Sequence, residues 1–382
     1  MTMKRQFKSF DFILVLLVCI VAVFGIVVIG SATHIKTVTP LPQEYTMQKI
    51  WFASGIVLML LAAFTDYHFI CKFYIPLYVI CILLLVYVFV FPSNQDSGVT
   101  RWISIGKLGI QPSEFAKIFM IIFVSKFVDK KIDSINNIFV LLFTGIAVAL
   151  PFFLIFKQPS LSAAMVILAV SLTIIFVGGL SFKYIIPALA ALVSAVLLMY
   201  QDFTRGYDHF LFVDKILPGY QIDRIMMALN PNPKDELYYQ TMNSINAIAS
   251  GQMGGKGLYQ GTLNQLQYLA ESHNDFIFSV IGEEFGFIGC ITLMIVMMLI
   301  ILKCVLIAHR SADTLGRLLA SGVAAMLAFQ MFVNVGVATG IINTGMPFPF
   351  VSYGGSSMWM CMVGIGLCIN VGMTKTKSIF EE

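Results

Sequence analysis

Ten windows of about 20 apolar residues divide this chain and constrain its fold more than any other feature. Each window is long enough to cross the roughly 30 Å hydrocarbon core of a bilayer as a helix. Lipid admits only helices and closed barrels, since backbone polar groups must be satisfied internally. The sequence therefore predicts an all-α polytopic membrane protein with ten transmembrane helices, residues 1–382 forming a single integral membrane domain. The windows are 12–32, 48–66, 73–92, 111–128, 137–155, 161–180, 183–200, 275–303, 314–338 and 350–373.

Composition agrees with this class, because 12% of residues are charged, against about a quarter in soluble domains. The net charge of +4 is small and indicates no nucleic-acid partner. The first window follows Lys4, Arg5 and Lys8 and is too long for a signal peptide, so an uncleaved helix is expected. Cleavage after residues 30–32 is the alternative. All seven cysteines lie in or beside apolar windows, which predicts free thiols.

Charge placement predicts the orientation. Lys and Arg concentrate in alternate loops, and the positive-inside rule puts those loops in the cytoplasm. An even number of spans then places both termini in the cytoplasm. Residues 201–274 hold five Lys/Arg and seven Asp/Glu, so this long segment is predicted to be a large extracytoplasmic loop between helices 7 and 8. A helix-like piece at 239–250 would lie on the membrane surface or fold back into the bundle. The inner basic residues are Lys72, Lys126, Lys130, Lys131, Lys183, Lys303, Arg310, Arg317, Lys375 and Lys377.

An acidic cluster marks the end of that loop. Asp275 lies where residues 271–276 (ESHNDF) turn into an apolar window, and Glu283 and Glu284 follow eight residues on. A carboxylate in or near lipid costs several kcal/mol unless it is solvated, paired or protonated, so such acids indicate function. We expect the chemistry here. His273 is interpreted as a hydrogen-bond partner of Asp275 rather than a metal ligand, and no metal site is assigned.

A second polar set lies at the start of the fourth window, with one further residue just after the fifth. Glu114 and Lys117 are three residues apart and share a helix face, so they form either a structural ion pair or the floor of a polar cavity. Arg101 lies at the same end, and arginine with lysine suits a phosphate or pyrophosphate. Lys157, in an outer turn, is either a further ligand or an anchor at the membrane surface.

Two segments rich in small residues have weaker signals. Residues 251–257 (GQMGGKG) lack the hydroxyl that follows the lysine of a phosphate-binding loop, so a glycine-hinged turn on the membrane surface is predicted. Residues 347–357 (PFPFVSYGGSS) open the last window. Small residues there serve helix packing, or Ser352 and Ser356 line a site for a polar headgroup.

Several ordered motifs together resemble the SEDS family (shape, elongation, division and sporulation; RodA/FtsW/SpoVE-like proteins). The resemblance covers nearly the whole chain. It rests on residues 101–103 (RWI), 111–117 (QPSEFAK), 157–159 (KQP), 254–257 (GGKG), 273–278 (HNDFIF), 282–284 (GEE) and 352–357 (SYGGSS).

This resemblance implies a ten-helix peptidoglycan glycosyltransferase that polymerises lipid II at the outer face of the bacterial cytoplasmic membrane. Such proteins work with a class B penicillin-binding protein and other cell-wall machinery. Asp275 matches the family's essential acid and would act as general base. Arg101, Lys117 and Lys157 would hold the pyrophosphate, with Glu114 positioning Lys117. A divalent cation, Mg²⁺ or Mn²⁺, could share that work, and no organic cofactor is expected.

Two other functions fit the same residues. A charged cavity that opens outward could flip lipid II across the membrane, although the sequence has no clear internal repeat of the kind many transporters show. If the cavity is inert, the protein would instead be a scaffold that recruits a transpeptidase. The sequence does not separate roles in elongation, division and sporulation.

Overall fold

The computed structural model describes residues 10–34, 43–91, 101–105, 108–204, 213–216, 219–229, 236–269 and 271–374. The terminal cations Lys4, Arg5, Lys8, Lys375 and Lys377 lie outside these ranges. Within them the helices are α1 (Phe12–Ala32), α2 (Gln43–Phe64), α3 (Tyr67–Lys72), α4 (Tyr74–Val90), α5 (Pro112–Lys130), α6 (Ile138–Lys157), α7 (Leu161–Val177), α8 (Phe182–Phe203), α9 (Val213–Ile216), α10 (Gly219–Leu229), α11 (Glu236–Ser250), α12 (Thr262–Gln265), α13 (Ile277–His309), α14 (Thr314–Ala338) and α15 (Gly355–Met373). A short 3₁₀ turn, Ile132–Ser134, follows α5.

The long apolar helices make this a multi-pass membrane protein. By length and composition, seven of the described helices can cross a membrane: α1, α2, α6, α8, α13, α14 and α15. Helices α4 and α7 are shorter but also apolar. The remaining predicted window forms α5. This helix contains five charged residues, Glu114 and Lys117 among them, which is more than any of those seven helices contains. The count of ten spans stays a prediction.

A small β-hairpin interrupts the helical pattern. Strands β1 (Ile103–Ile105) and β2 (Leu108–Ile110) pair antiparallel, with Ile103 opposite Ile110. The all-helical prediction missed this element, although the alternating isoleucines of the segment suit a strand. The hairpin places Arg101 and Trp102 beside the start of α5, and Trp102 packs over Gly109.

The core lies where α5, α14 and α15 meet. Helix α15 packs on α2, and α14 packs on α13 and α7. Both α14 and α15 bury most of their residues. By contrast, α4, α6 and α8 expose long rows of large apolar side chains, as lipid-facing helices do. All seven cysteines are free thiols, as predicted, and six of them are buried.

Part of the 201–274 segment folds back into the bundle. The helix predicted at 239–250 is confirmed as α11, which packs against α13 and α14. Ser244 Oγ lies 2.5 Å from Ser279 Oγ and donates to the Ala338 carbonyl at 2.7 Å. Ile248 packs where Gly282 lacks a side chain. Of the two placements that the sequence left open, this element therefore takes the second.

Candidate functional site

Asp275 lies in the turn immediately before α13, on the wall between two cavities. One cavity has a volume of about 260 Å³ and the other about 500 Å³. Arg101, Ser162, Asp275 and Gly345 line both of them. A group bound in either cavity can therefore reach the same carboxylate.

Backbone and small-residue contacts fix the position of Asp275. The buried amide of Asn334 donates to the Asp275 carbonyl at 3.1 Å and to the Met346 carbonyl at 2.6 Å. The Asp275 carboxylate sits against Gly345, where a β-carbon would collide with it. Ser162 Oγ in turn donates to the Gly345 carbonyl at 2.5 Å. Asp275 is thus held by the 334–346 region, which contacts both its backbone and its carboxylate, and α7 fixes that region through Ser162.

Burial raises the pKa of Asp275 to about 6 from its ordinary value of 3.8. The negative charge of Glu271 raises this pKa further, whereas Arg101 and Arg224 lower it. A carboxyl group with this pKa is ionised at neutral pH, yet basic enough to accept a proton from a reacting hydroxyl.

Arg101 reaches the site from the segment before β1. Its Nε donates to the Gln158 carbonyl at 3.0 Å, and its Nη2 contacts the Pro159 carbonyl. Gln158 is itself buried and donates to the Leu85 carbonyl at 2.8 Å. The neighbouring Lys157 is exposed at the end of α6 and lines neither cavity.

Glu114 and Lys117 form a buried ion pair on the first turns of α5. Lys117 Nζ lies 2.7 Å from each carboxylate oxygen of Glu114, and both side chains are almost fully buried. Glu114 lines the larger cavity, with Lys117 packed behind it. Both interpretations from the sequence thus apply, because the pair is structural and its carboxylate forms part of a cavity wall.

His273 faces Glu271 and Tyr353 rather than Asp275. Its Nε2 lies 3.9 Å from Glu271 Oε2, and its ring contacts the Tyr353 ring edge-on at 5.6 Å between centroids. The His273 carbonyl accepts a hydrogen bond from Tyr353 N at 2.9 Å. His273 therefore stabilises the turn that carries Asp275.

The two serines of the 347–357 segment have different surroundings. Ser352 is buried, donates to the Asn274 carbonyl at 2.7 Å and accepts from Phe348 N at 2.7 Å. It therefore ties this segment to the Asp275 turn. Ser356 lines the larger cavity and accepts a hydrogen bond from Gln111 N at 3.1 Å.

Arg224 and Asn343 are functional candidates that the sequence did not reveal. Arg224 Nη1 donates to the Asn343 carbonyl at 2.7 Å, and Asn343 Nδ2 donates back to the Arg224 carbonyl at 3.2 Å. Both residues line the smaller cavity beside Asp275. They are 119 positions apart, so no local pattern predicts the contact.

Glu283 and Glu284 lie apart from the cavities and bind the segment after α11. Glu283 accepts from Lys256 Nζ at 2.6 Å and from Leu263 N at 2.9 Å. Ser31 Oγ donates to Glu284 Oε1 at 2.5 Å. Of the three acids expected to carry the chemistry, two are therefore placed in structural contacts.

The glycine-rich 251–257 segment packs against a break in α13. Gly286 has a φ of 65°, and the helix loses its regular hydrogen bonds there. Backbone groups of the segment replace them: Phe287 N donates to the Gln252 carbonyl at 2.8 Å, and Gly257 N donates to the Glu284 carbonyl at 2.9 Å. The expectation of a surface turn misses this contact, because its partners are backbone atoms of a distant helix.

Substitution of Gly286 by alanine is expected to destabilise the protein by about 2–4 kcal/mol. A β-carbon would collide with the backbone N of Gly255, and the positive φ disfavours any side chain. The measurement is the thermal unfolding midpoint in detergent. Gly254→Ala is the matched control, since nothing lies within 4 Å of its β-carbon. Equal midpoints for the two variants would contradict the role of this contact.

No group of three or more His, Cys, Asp or Glu side chains among the described residues is arranged to hold a metal ion. The divalent cation that the resemblance implies therefore has no ligand cluster among these residues.

Comparisons with known proteins place the chain in a family. The FtsW/RodA/SpoVE family model, described as "Cell cycle protein", matches residues 11–377. The chain is 31% identical to a probable peptidoglycan glycosyltransferase FtsW of Geobacter sp. (strain M18), over 96% of this chain and 98% of the relative. It is 36% identical to the peptidoglycan glycosyltransferase MrdB of Escherichia coli (strain K12), over 77% of this chain and 76% of the relative.

Solved structures share the fold. A chain from a structure titled "Structural coordination of polymerization and crosslinking by a peptidoglycan synthase complex" matches with a TM-score of 0.79 and 29% identity, over 95% of this chain and 97% of that one. The rod shape determining protein RodA of Thermus thermophilus matches with a TM-score of 0.69 and 26% identity, over 97% and 98%. The chain belongs to the FtsW/RodA/SpoVE family.

Proposed function

We propose that this protein is a peptidoglycan glycosyltransferase that polymerises lipid II at the outer face of the bacterial cytoplasmic membrane. The observation that carries the proposal is the carboxylate of Asp275, which lines both cavities and is influenced by two arginines. Family membership and the names of the relatives support the same activity.

The chemistry requires a base and a site for the leaving pyrophosphate, but no protein nucleophile. Asp275 takes the proton from the 4-hydroxyl of the acceptor N-acetylglucosamine as its oxygen attacks C1 of the donor sugar. The bond between C1 and the phosphate oxygen breaks, and the pyrophosphate keeps the electron pair. Arginine side chains stabilise that developing charge. Attack opposite the leaving group inverts C1, so an α-linked donor yields a β-linked chain.

The other candidates support this step. Glu114, fixed by Lys117, presents a carboxylate to the larger cavity and would accept hydrogen bonds from sugar hydroxyls. Lys117 acts through Glu114 rather than by touching phosphate. Lys157 would interact with headgroups at the membrane surface. A bound Mg²⁺ or Mn²⁺ would add positive charge near the pyrophosphate.

The proposed topology follows from the charge pattern. Ten helices span the membrane, both termini are cytoplasmic, and the 201–274 segment and the Asp275 cavities face outward. The polyprenyl tails occupy grooves between helices, so the substrate stays in the bilayer. A class B penicillin-binding protein is the proposed partner, because a relative of this fold was solved in a peptidoglycan synthase complex.

The pH dependence of polymerisation tests the base. Because only the ionised carboxylate accepts a proton, we expect the rate to rise as pH increases through about 6 and to level off above it. The measurement is the initial rate with labelled lipid II well below saturation from pH 5 to pH 8, which reports the pKa of the protein without substrate. A rate that stays flat across this range would contradict titration of Asp275 in the mechanism.

Polymer formation by the purified protein in detergent separates the proposal from its rivals. No transbilayer gradient exists there, so polymer indicates the enzyme. Movement of lipid II across liposome membranes without polymer would favour a flippase. A scaffold would show neither activity, and its Asp275 variants would leave growth and cell shape unchanged.

A further inference from the structure

The two cavities that meet at Asp275 have different linings. The smaller one brings together two guanidinium groups, Arg101 and Arg224, with the side chains of Ser162, Asn343 and Thr344. Among the described residues that line it, Asp275 is the one acidic side chain. Such a lining suits a compact anion with several acceptor oxygens.

Arg224 is held in place by the segment that lines the same cavity. Reciprocal hydrogen bonds tie its backbone and side chain to Asn343, so the guanidinium is fixed before any ligand binds. The Arg101 side chain is held by hydrogen bonds to the Gln158 and Pro159 carbonyls. Guanidinium groups held in this way bind a pyrophosphate with little loss of side-chain entropy.

The larger cavity shares Arg101 and Asp275 with the smaller one but is more acidic. Beside Asp275 it contains two further carboxylates: Glu271, which repels an anion, and Glu114, whose charge is balanced by Lys117. It also offers aromatic surfaces and hydroxyl or amide groups, which suit the apolar faces and hydroxyls of a sugar. These are Trp51, Trp102, Tyr353, Gln111, Asn274, Ser356 and Ser357.

We infer that the smaller cavity binds the leaving pyrophosphate of the donor and the larger cavity binds the acceptor sugar. Arg224 is then a pyrophosphate ligand that acts together with Arg101. Asp275 lies on the boundary, where the acceptor hydroxyl meets C1 of the donor. This assignment of the two substrates rests on the proposed function.

Binding of a sugar-free probe tests the assignment without turnover. Undecaprenyl pyrophosphate carries the leaving group alone, and its affinity for purified protein can be measured in detergent by microscale thermophoresis. We expect Arg224→Gln to weaken this binding about tenfold, since a charge-assisted hydrogen bond is lost. Arg224→Lys should weaken it less, because the charge remains.

Two further variants keep the Arg224–Asn343 bonds intact. Thr344→Glu puts a negative charge into the smaller cavity, and Ser357→Glu puts one into the larger cavity. We expect Thr344→Glu to weaken probe binding at least tenfold and Ser357→Glu to change it less than threefold. The reverse order, or unchanged binding in both Thr344→Glu and Arg224→Gln, would overturn the assignment.

The result also separates this assignment from the activity itself. Should the protein bind the probe as expected but form no polymer from lipid II, the proposed function fails while the pyrophosphate cavity stands. Should it form polymer while Arg224→Gln and Thr344→Glu bind the probe like the unaltered protein, the assignment fails alone.

Discussion

Replacing Asp275 with asparagine is expected to lower the rate of glycan polymerisation about 10²–10⁴-fold, the usual contribution of a general base. Asparagine has nearly the same shape, so the contacts with Gly345 and the backbone bond from Asn334 persist. Only the ability to accept the proton is lost. The measurement is the initial rate of polymer formation with labelled lipid II in large excess over the protein, since each bond formed consumes a donor and an acceptor.

The matched control for this variant is Glu271→Gln, which changes a neighbouring carboxylate. Glu271 raises the pKa of Asp275, so removing its charge should shift the rise of the pH–rate profile to lower pH without abolishing the plateau. Loss of activity in both variants to the same extent would argue against a distinct role for Asp275.

Stability should move in the opposite direction to activity in the Asp275 variant. The pKa of this group is higher in the folded protein than its ordinary value of 3.8, so ionisation disfavours the folded state. That cost is absent at pH below 3.8 and grows as pH rises through about 6. Asp275→Asn should therefore unfold at a higher temperature than the unaltered protein at pH 8, and this difference should narrow toward pH 5.

Replacing Lys117 with methionine is expected to destabilise the protein by about 3–5 kcal/mol, the cost of leaving a buried charge without its partner. Lys117 is almost completely buried, and its ammonium lies 2.7 Å from Glu114. Methionine fills a similar volume, so loss of packing contributes little. The measurement is the unfolding midpoint in detergent, together with the yield of monodisperse protein.

A double variant separates charge from packing at this site. Adding Glu114→Gln to Lys117→Met removes the unpaired carboxylate and should recover most of the lost stability. Polymerisation should remain impaired, because the larger cavity has lost its Glu114 carboxylate. A double variant no more stable than Lys117→Met would show that the pair is not the source of the effect.

Helices and the principal acid could be predicted because their signals are local. Apolar windows of sufficient length must form helices in lipid. The windows at 12–32 and 314–338, for example, form α1 and α14 with the same bounds. The sequence indicates a function for Asp275, because a carboxylate at the start of an apolar segment carries a free-energy cost that is rarely kept without one. Glu114 and Lys117 were paired by helical spacing alone, and the structure places them together.

Residues whose roles depend on distant contacts could not be predicted. Arg224 lies in a polar segment where nothing distinguishes it from other surface arginines, and only the fold brings it to Asn343 and Asp275. The sequence leaves Lys157 open between a further pyrophosphate ligand and a surface anchor, and the structure places it exposed at the end of α6, outside the lining of both cavities. The glycines of 251–257 gave a turn signal, whereas their partner is the backbone at the break in α13.

The most direct test of the central claim is a structure of the protein with two bound lipid II analogues whose bond between C1 and the phosphate oxygen cannot be cleaved. We predict that the acceptor 4-hydroxyl lies about 2.6–3.2 Å from an Asp275 carboxylate oxygen, the reach of a general base. The donor pyrophosphate should contact Arg101 and Arg224. A pyrophosphate bound away from both arginines, with Asp275 beyond hydrogen-bond reach of either sugar, would contradict the account.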